Sequence, residues 1–242
     1  MRSTPTRWVL SLTVTLLTWP LASTAQDQSG LRADFVAVAR GGVVVHSSDG
    51  GATWSETSPT TGYINGVASD NRGRFVAVGA RGTILLSESG TAWREVSSGV
   101  DAGVTLNAVA WDDDGTFVAV GSEGAVYASH DGGLTWTRGD SGVEDNLLSV
   151  DTDRAGTWIA GGAQAIVLRS TDEGAHWQQG TLAHGEHGIG VAALGNGRWV
   201  AVGPMGSAAI SNDGGVSWSP VQTGVDVVLE GVAADTTGVV VG

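Results

Sequence analysis

The chain has 242 residues with 38 Gly, 5 Pro and no Cys, so it is long enough for one substantial core and has no disulfide to staple it. Its net charge of −13 is spread along the chain, which excludes the basic face that phosphate binding needs and with it a nucleic-acid partner. The same acidity disfavours an anionic membrane surface, and because all twelve basic residues are Arg there is no lysine to form a Schiff base.

From the N-terminus, Arg2 and Arg7 precede an apolar run from Trp8 to Ala22 and the small-x-small site Ser23-Thr24-Ala25. Residues 1–25 therefore read as a signal peptide. The run falls short of the roughly 20 residues a membrane helix needs, and no Cys is present to take a lipid. The expectation is an exported chain, periplasmic or extracellular, without stable membrane insertion. Its mature part, 26–242, has net charge −15, the −13 of the whole less Arg2 and Arg7.

A motif then recurs along the mature chain: Ser47-x-Asp49-x-Gly51-x-Thr53-Trp54, Ser129-x-Asp131-x-Gly133-x-Thr135-Trp136, Ser170-x-Asp172-x-Gly174-x-His176-Trp177 and Ser211-x-Asp213-x-Gly215-x-Ser217-Trp218. A worn copy, Ser87 to Trp93, is one residue short and has Ser89 in place of the Asp. Asp49 to Asp213 is 164 residues, four steps averaging 41. Each step carries short β-branched runs such as "LNAVA", "FVAVG" and "AVYAS", parted by Gly and Asp turns, and these predict strands. Four such strands fill one propeller blade, so the fold class is all-β, a β-propeller with five blades visible.

The motif falls between the third and fourth strands of each blade. There the Asp can accept turn N–H groups, the Gly can take a positive φ, the Ser can bond locally and the Trp can fold back as an apolar plug. Identical copies on every blade cannot all face one substrate, so Asp49, Asp131, Asp172 and Asp213 read as structural. Their spacing resembles the Asp-box, or bacterial neuraminidase repeat, over essentially the whole mature chain. The dense form of the repeat is most similar to the photosystem II assembly-factor type, and that resemblance implies an assembly role toward a membrane-protein precursor or complex.

By the same resemblance, ligands sit at the end away from the Asp-boxes. The turns after the "FVAVG" strands place Arg40, Arg81, Glu123, Gln164 and Met205 there as equivalents. The loops between blades add Tyr63, Asp101, Glu144, Asp145 and the segment His184 to His187. Arg40 and Arg81, from neighbouring blades, could grip one carboxylate; the competing reading is two solvated arginines. In "HGEH", His184, Glu186 and His187 are zinc-ligand types without zinc-helix spacing, and "DDDG" at Asp112 reads as a hairpin turn, not a calcium loop. No metal and no cofactor is expected.

Sialidase chemistry, as the resemblance implies it, needs an arginine triad and a Tyr activated by a Glu. Only Tyr63 and Tyr127 are present, and Tyr127 lies in a third strand. The residues thus favour a non-catalytic interaction platform for another protein or a carbohydrate. The alternative is a sialidase-like glycoside hydrolase or a carbohydrate-binding module; Trp111 could stack on sugar, though its place beside "DDDG" at the end of a first strand fits a blade-edge contact equally well. If the chain ends at Gly242, Leu229–Ala234 is expected to complete the first blade; the leftover "GVVVG" points to a fragment of a longer ring.

Overall fold

The structure, a computed structural model, describes residues 35–181, 190–234 and 239–241. The residues 1–25, His184, Glu186 and His187 lie outside the described residues.

The first sheet is β1 (Phe35–Val38), β2 (Val44–Ser47) and β3 (Ser55–Thr57). The second is β4 (Ile64–Ser69), β5 (Phe75–Gly79), β6 (Ile84–Ser87) and β7 (Arg94–Glu95), and the third β8 (Leu106–Trp111), β9 (Phe117–Gly121), β10 (Val126–Ser129) and β11 (Thr137–Arg138). The fourth is β12 (Leu147–Thr152), β13 (Trp158–Gly162), β14 (Ile166–Ser170) and β15 (Gln178–Thr181), and the fifth β16 (Gly190–Gly195), β17 (Arg198–Val202), β18 (Ser207–Ser211) and β19 (Ser219–Gln222). Each sheet is antiparallel with strands in chain order, the up-and-down meander of a propeller blade.

Stacking of blades explains the continuous apolar runs. Every residue of β5, β9 and β13 is buried, because each sheet is covered on both faces by its neighbours and alternation is lost. From the second blade on, the motif tryptophan closes the seam with the blade before it. Trp93 packs on Val36 and Val38, Trp136 joins Val76 and Leu86, Trp177 joins Val118 and Ala128, and Trp218 packs on Ile159 and Val167. Trp54, in the first described blade, is 50% exposed. Arg74 and Arg169 add cross-seam ties, donating to the carbonyls of Gly132 and Gly214 at 3.2 and 2.8 Å.

The innermost strands share a bulge between Ile64 and Gly66, Leu106 and Ala108, and Leu147 and Ser149. The bulged Asn65 and Asn107 use the freed geometry to donate to Leu106 O and Leu147 O of the next blade, at 2.9 and 2.8 Å.

Two points that the sequence leaves open are decided by the structure. Residues 232–234 do not complete the first blade: they form β20 (Val232–Ala234), which pairs with β21 (Val239–Val241) and opens a sixth sheet. Its "GVVVG" partner is local in sequence, whereas pairing with β1 would close a loop of nearly the whole chain. Trp111 is no sugar platform, since it is 6% exposed and packs on Phe117 with ring centroids 6.4 Å apart.

Candidate functional site

The Asp-box turns lie at one end of the blades, and their hydrogen bonds are nearly identical. Each Ser hydroxyl (Ser47, Ser129, Ser170, Ser211) donates to its Asp at 2.8–2.9 Å and accepts the Gly amide (Gly51, Gly133, Gly174, Gly215) at 2.8–3.1 Å. The same carboxylate Oδ1 accepts the amide of the residue four on, at 2.9–3.0 Å. Its Oδ2 takes that residue's hydroxyl at 2.6 Å, or the His176 ring nitrogen at 2.8 Å. The Trp indole (Trp54, Trp136, Trp177, Trp218) donates back to the Gly carbonyl at 3.0–3.1 Å.

These donors act on the charged form. The Thr53 and Ser217 hydroxyls, then their amides, pull Asp49 and Asp213 down to about 2 from the usual carboxylate range. At Asp131 and Asp172 partial burial opposes the shift but is outweighed, by Thr135 and by His176 respectively, and both are lowered. Both oxygens of each carboxylate are thus committed to its own turn, and none is poised as a general base or nucleophile. The box glycines also let blades approach. A Cβ on Gly133 would stand 2.7 Å from Val76, and one on Gly215 2.3 Å from Ile159.

Three further carboxylates at this end organise the hairpin turns between the first and second strands. Asp70, Asp112 and Asp153 each accept two amides of their turn, at 2.7–3.1 Å. The signal is the D-x-x-G ahead of the second strand in the second, third and fourth blades, and "DDDG" is the hairpin turn expected of it. Asp151 is different: its Oδ2 accepts Ala193 N of the next blade at 2.9 Å and its Oδ1 accepts Thr152 N at 2.8 Å. Burial pushes its carboxyl up despite those bonds. A groove of about 410 Å³ between the third and fourth blades is lined by His130, Arg138, Asp140 and His176, away from the loop end. Among the described residues no cluster of His, Cys, Asp or Glu fits a metal ion, and no helix is long and apolar enough to cross a membrane.

At the opposite end, two-residue turns join the second and third strands. Their first residue is left-handed: Arg81 (φ 61°), Glu123 (φ 56°), Gln164 (φ 55°) and Met205 (φ 53°). In the first blade that position belongs to Gly41 (φ 80°), so Arg40 stands one residue before the tip and is not the equivalent of Arg81. All five residues are exposed, and among the described residues neither Arg40 nor Arg81 has an ion-pair partner.

The loop between blades holds each turn in place. The Ala80 amide donates to Tyr63 O at 2.9 Å, Gly82 N to Val104 O at 2.7 Å, and Gly124 N to Asp145 O at 2.9 Å. Glu123 N donates to Asn146 Oδ1 at 3.2 Å, and Gln164 Nε2 to Asp145 Oδ1 at 2.9 Å. A Cβ on Gly42 would meet Thr60 O at 1.8 Å, so the segment from Thr60 to Tyr63 runs from the Arg40 turn to the Arg81 turn. Tyr63, 57% exposed, thus stands beside Arg81. The geometry brings Arg40, Tyr63 and Arg81 to one sector and Glu123, Glu144 and Asp145 to the next.

Residues 85–240 match the family model described as photosynthesis system II assembly factor YCF48. Among solved structures, one titled "YCF48 bound to D1 peptide" is similar, with a TM-score of 0.60 and 16% identity, over 78% of this chain. The likeness covers 63% of that structure's chain, and at such identity it shows the fold. No curated protein matches.

Proposed function

Since the chain belongs to the photosynthesis system II assembly factor YCF48 family, we propose that it is an exported, non-catalytic platform whose loop end holds a segment of another protein. One observation carries this reading: the two ends of the same blades have opposite character. At the Asp-box end the repeated polar groups are committed to their own turns, whereas the loop end keeps one backbone frame and changes the exposed side chain from blade to blade. A rigid frame with variable tips suits recognition, because little ordering entropy is lost on binding. The solved relative whose title names a bound D1 peptide supports a peptide-like partner. Arg40 and Arg81 with Tyr63 form the sector suited to a carboxylate, through charge-assisted bonds to guanidinium groups that have no ion pair among the described residues.

The test is capture of a stoichiometric protein from the exported fraction by the mature chain. Capture is expected to be lost in the Arg40→Ala, Arg81→Ala double variant and kept in a still-folded Asp131→Ala variant. Release of a fluorescent product from a sialoside or glucan, abolished by Arg81→Ala, would instead establish a hydrolase.

A further inference from the structure

The second residue of the loop-end turn obeys the fold in four of the five described blades, while the fourth blade has the buried Ala165, left-handed at φ 58°. In those four it is Gly42, Gly82, Gly124 and Gly206, and a Cβ there would lie 1.8, 2.9, 1.9 and 1.9 Å from a carbonyl oxygen of the loop that follows. The first residue does not obey it. Turns with two left-handed residues favour Gly, Asn or Asp at that place, as Gly41 illustrates, yet the next four blades carry Arg81, Glu123, Gln164 and Met205. All four are exposed, Met205 at 78%, and among the described residues only Gln164 has a side-chain hydrogen bond, to Asp145. Arg154 and Glu173 are left-handed and exposed at the Asp-box end as well, so strain alone marks no site; what sets the loop-end tips apart is a change of chemistry from blade to blade on a near-uniform frame.

Their chemistry changes in ring order. Arg81 offers donors and a positive charge, with the exposed Asp101 of the following loop nearby, its Oδ1 accepting Gly103 N, and Glu123 offers a carboxylate with Glu144 and Asp145 in the same sector. Gln164 commits its Nε2 to Asp145, which leaves Oε1 to accept, and Met205 offers an adaptable apolar contact beside Val227 and Val228, which are 57% and 55% exposed. Val227 and Val228 stand where the third-to-fourth loop has Asp145 and Asn146: Gly206 N bonds Val227 O as Gly124 N bonds Asp145 O. The polar pair that braces one turn is thus an apolar pair beside Met205.

Resting on the platform reading above, we propose that the occupant is an extended peptide read by these four tips in order. It presents an acidic side chain to Arg81, a basic one to Glu123, an N–H donor to Gln164 and an apolar one to Met205. The probes are two labelled synthetic 16-residue peptides, one with paired Glu, paired Arg and paired Leu in that order, the other with Glu and Arg exchanged. Binding to the full mature chain is followed by fluorescence anisotropy. The first peptide is expected to bind about tenfold more tightly, a preference that the Arg81→Glu, Glu123→Arg double variant reverses. Met205→Gly is expected to weaken both peptides several-fold while leaving the melting temperature unchanged or raised, since Gly relieves the left-handed strain. Equal binding of the two peptides, or a preference that survives the exchange, overturns the proposal and leaves the platform standing if protein capture succeeds. Binding of neither peptide overturns it too, and failed capture beside that result removes the platform as well.

Discussion

Replacing Asp131 by Ala should destabilise the propeller without touching its loop end. The carboxylate accepts four hydrogen bonds: Ser129 Oγ at 2.9 Å, Leu134 N at 3.0 Å, Thr135 N at 2.9 Å and Thr135 Oγ1 at 2.6 Å. A hydrogen bond contributes about 0.5–1.5 kcal/mol net, and all of these donors except the buried Ser129 hydroxyl sit on an exposed turn where water replaces the acceptor, so a value near the low end applies. Four bonds at about 0.5 kcal/mol give roughly 2 kcal/mol, or about 4–8 °C in Tm for a domain of this size. Asp131→Asn should cost about half as much, because the amide oxygen still accepts Thr135 N and the amide nitrogen can donate to Thr135 Oγ1. Ser89→Ala in the worn copy is the internal control. Ser89 Oγ meets only Thr91 among side chains, at 2.9 Å, so its loss should stay within about 0.5 kcal/mol. Urea unfolding followed by tryptophan fluorescence measures all three. An Asp131→Ala variant as stable as the parent would refute the view that the carboxylate organises the turn.

Gly124→Ala sets a Cβ 1.9 Å from Val143 O at φ +62° and should cost about 3 kcal/mol, against about 1 kcal/mol for Gly115→Ala, where φ is +107° but nothing lies within 4 Å; urea midpoints compare them. Trp136→Ala should cost about 3–5 kcal/mol and the half-exposed Trp54→Ala distinctly less, by the same assay. Asp49 and Asp213 are depressed, so their stabilisation is complete above the unfolded value of 3.8 and is lost as pH falls through about 2; acid unfolding of the Asp49→Asn, Asp213→Asn variant should have a shallower slope there. Asp151 is raised and has the opposite sign: stability falls as pH rises through its folded value, and Asp151→Asn should flatten that limb in a pH series of urea midpoints.

What was legible in the sequence is what repeats or is local. The Asp-box bonds all span two to four residues, so spacing alone placed Ser129, Asp131, Gly133 and Trp136 in one turn between the third and fourth strands. Turn register at Arg40 was legible only by counting. "ARGG" invites matching Arg to Arg, but Arg40 lies five residues after Phe35 and Arg81 six after Phe75, and the bond from Ala39 N to Val43 O agrees that Gly41 is the tip. Asp151 was hidden because its partner, Ala193 N, lies 42 residues away across a seam. Trp111 looked like a binding residue since an aromatic beside a polar turn reads the same whether it faces solvent or the neighbouring blade. Pairing of residues 232–234 turns on a choice between a near and a distant strand, which periodicity leaves open.

The central claim is that the loop end binds a partner while the Asp-boxes hold the blades. Hydrogen-exchange mass spectrometry of the mature chain, alone and saturated with the captured protein, tests it most directly. The account predicts added protection in the turns at residues 39–43, 80–83, 122–125 and 163–166, with exchange unchanged at residues 47–54 and 129–136. Protection confined to the Asp-box turns, with the loop end unaltered, would contradict it.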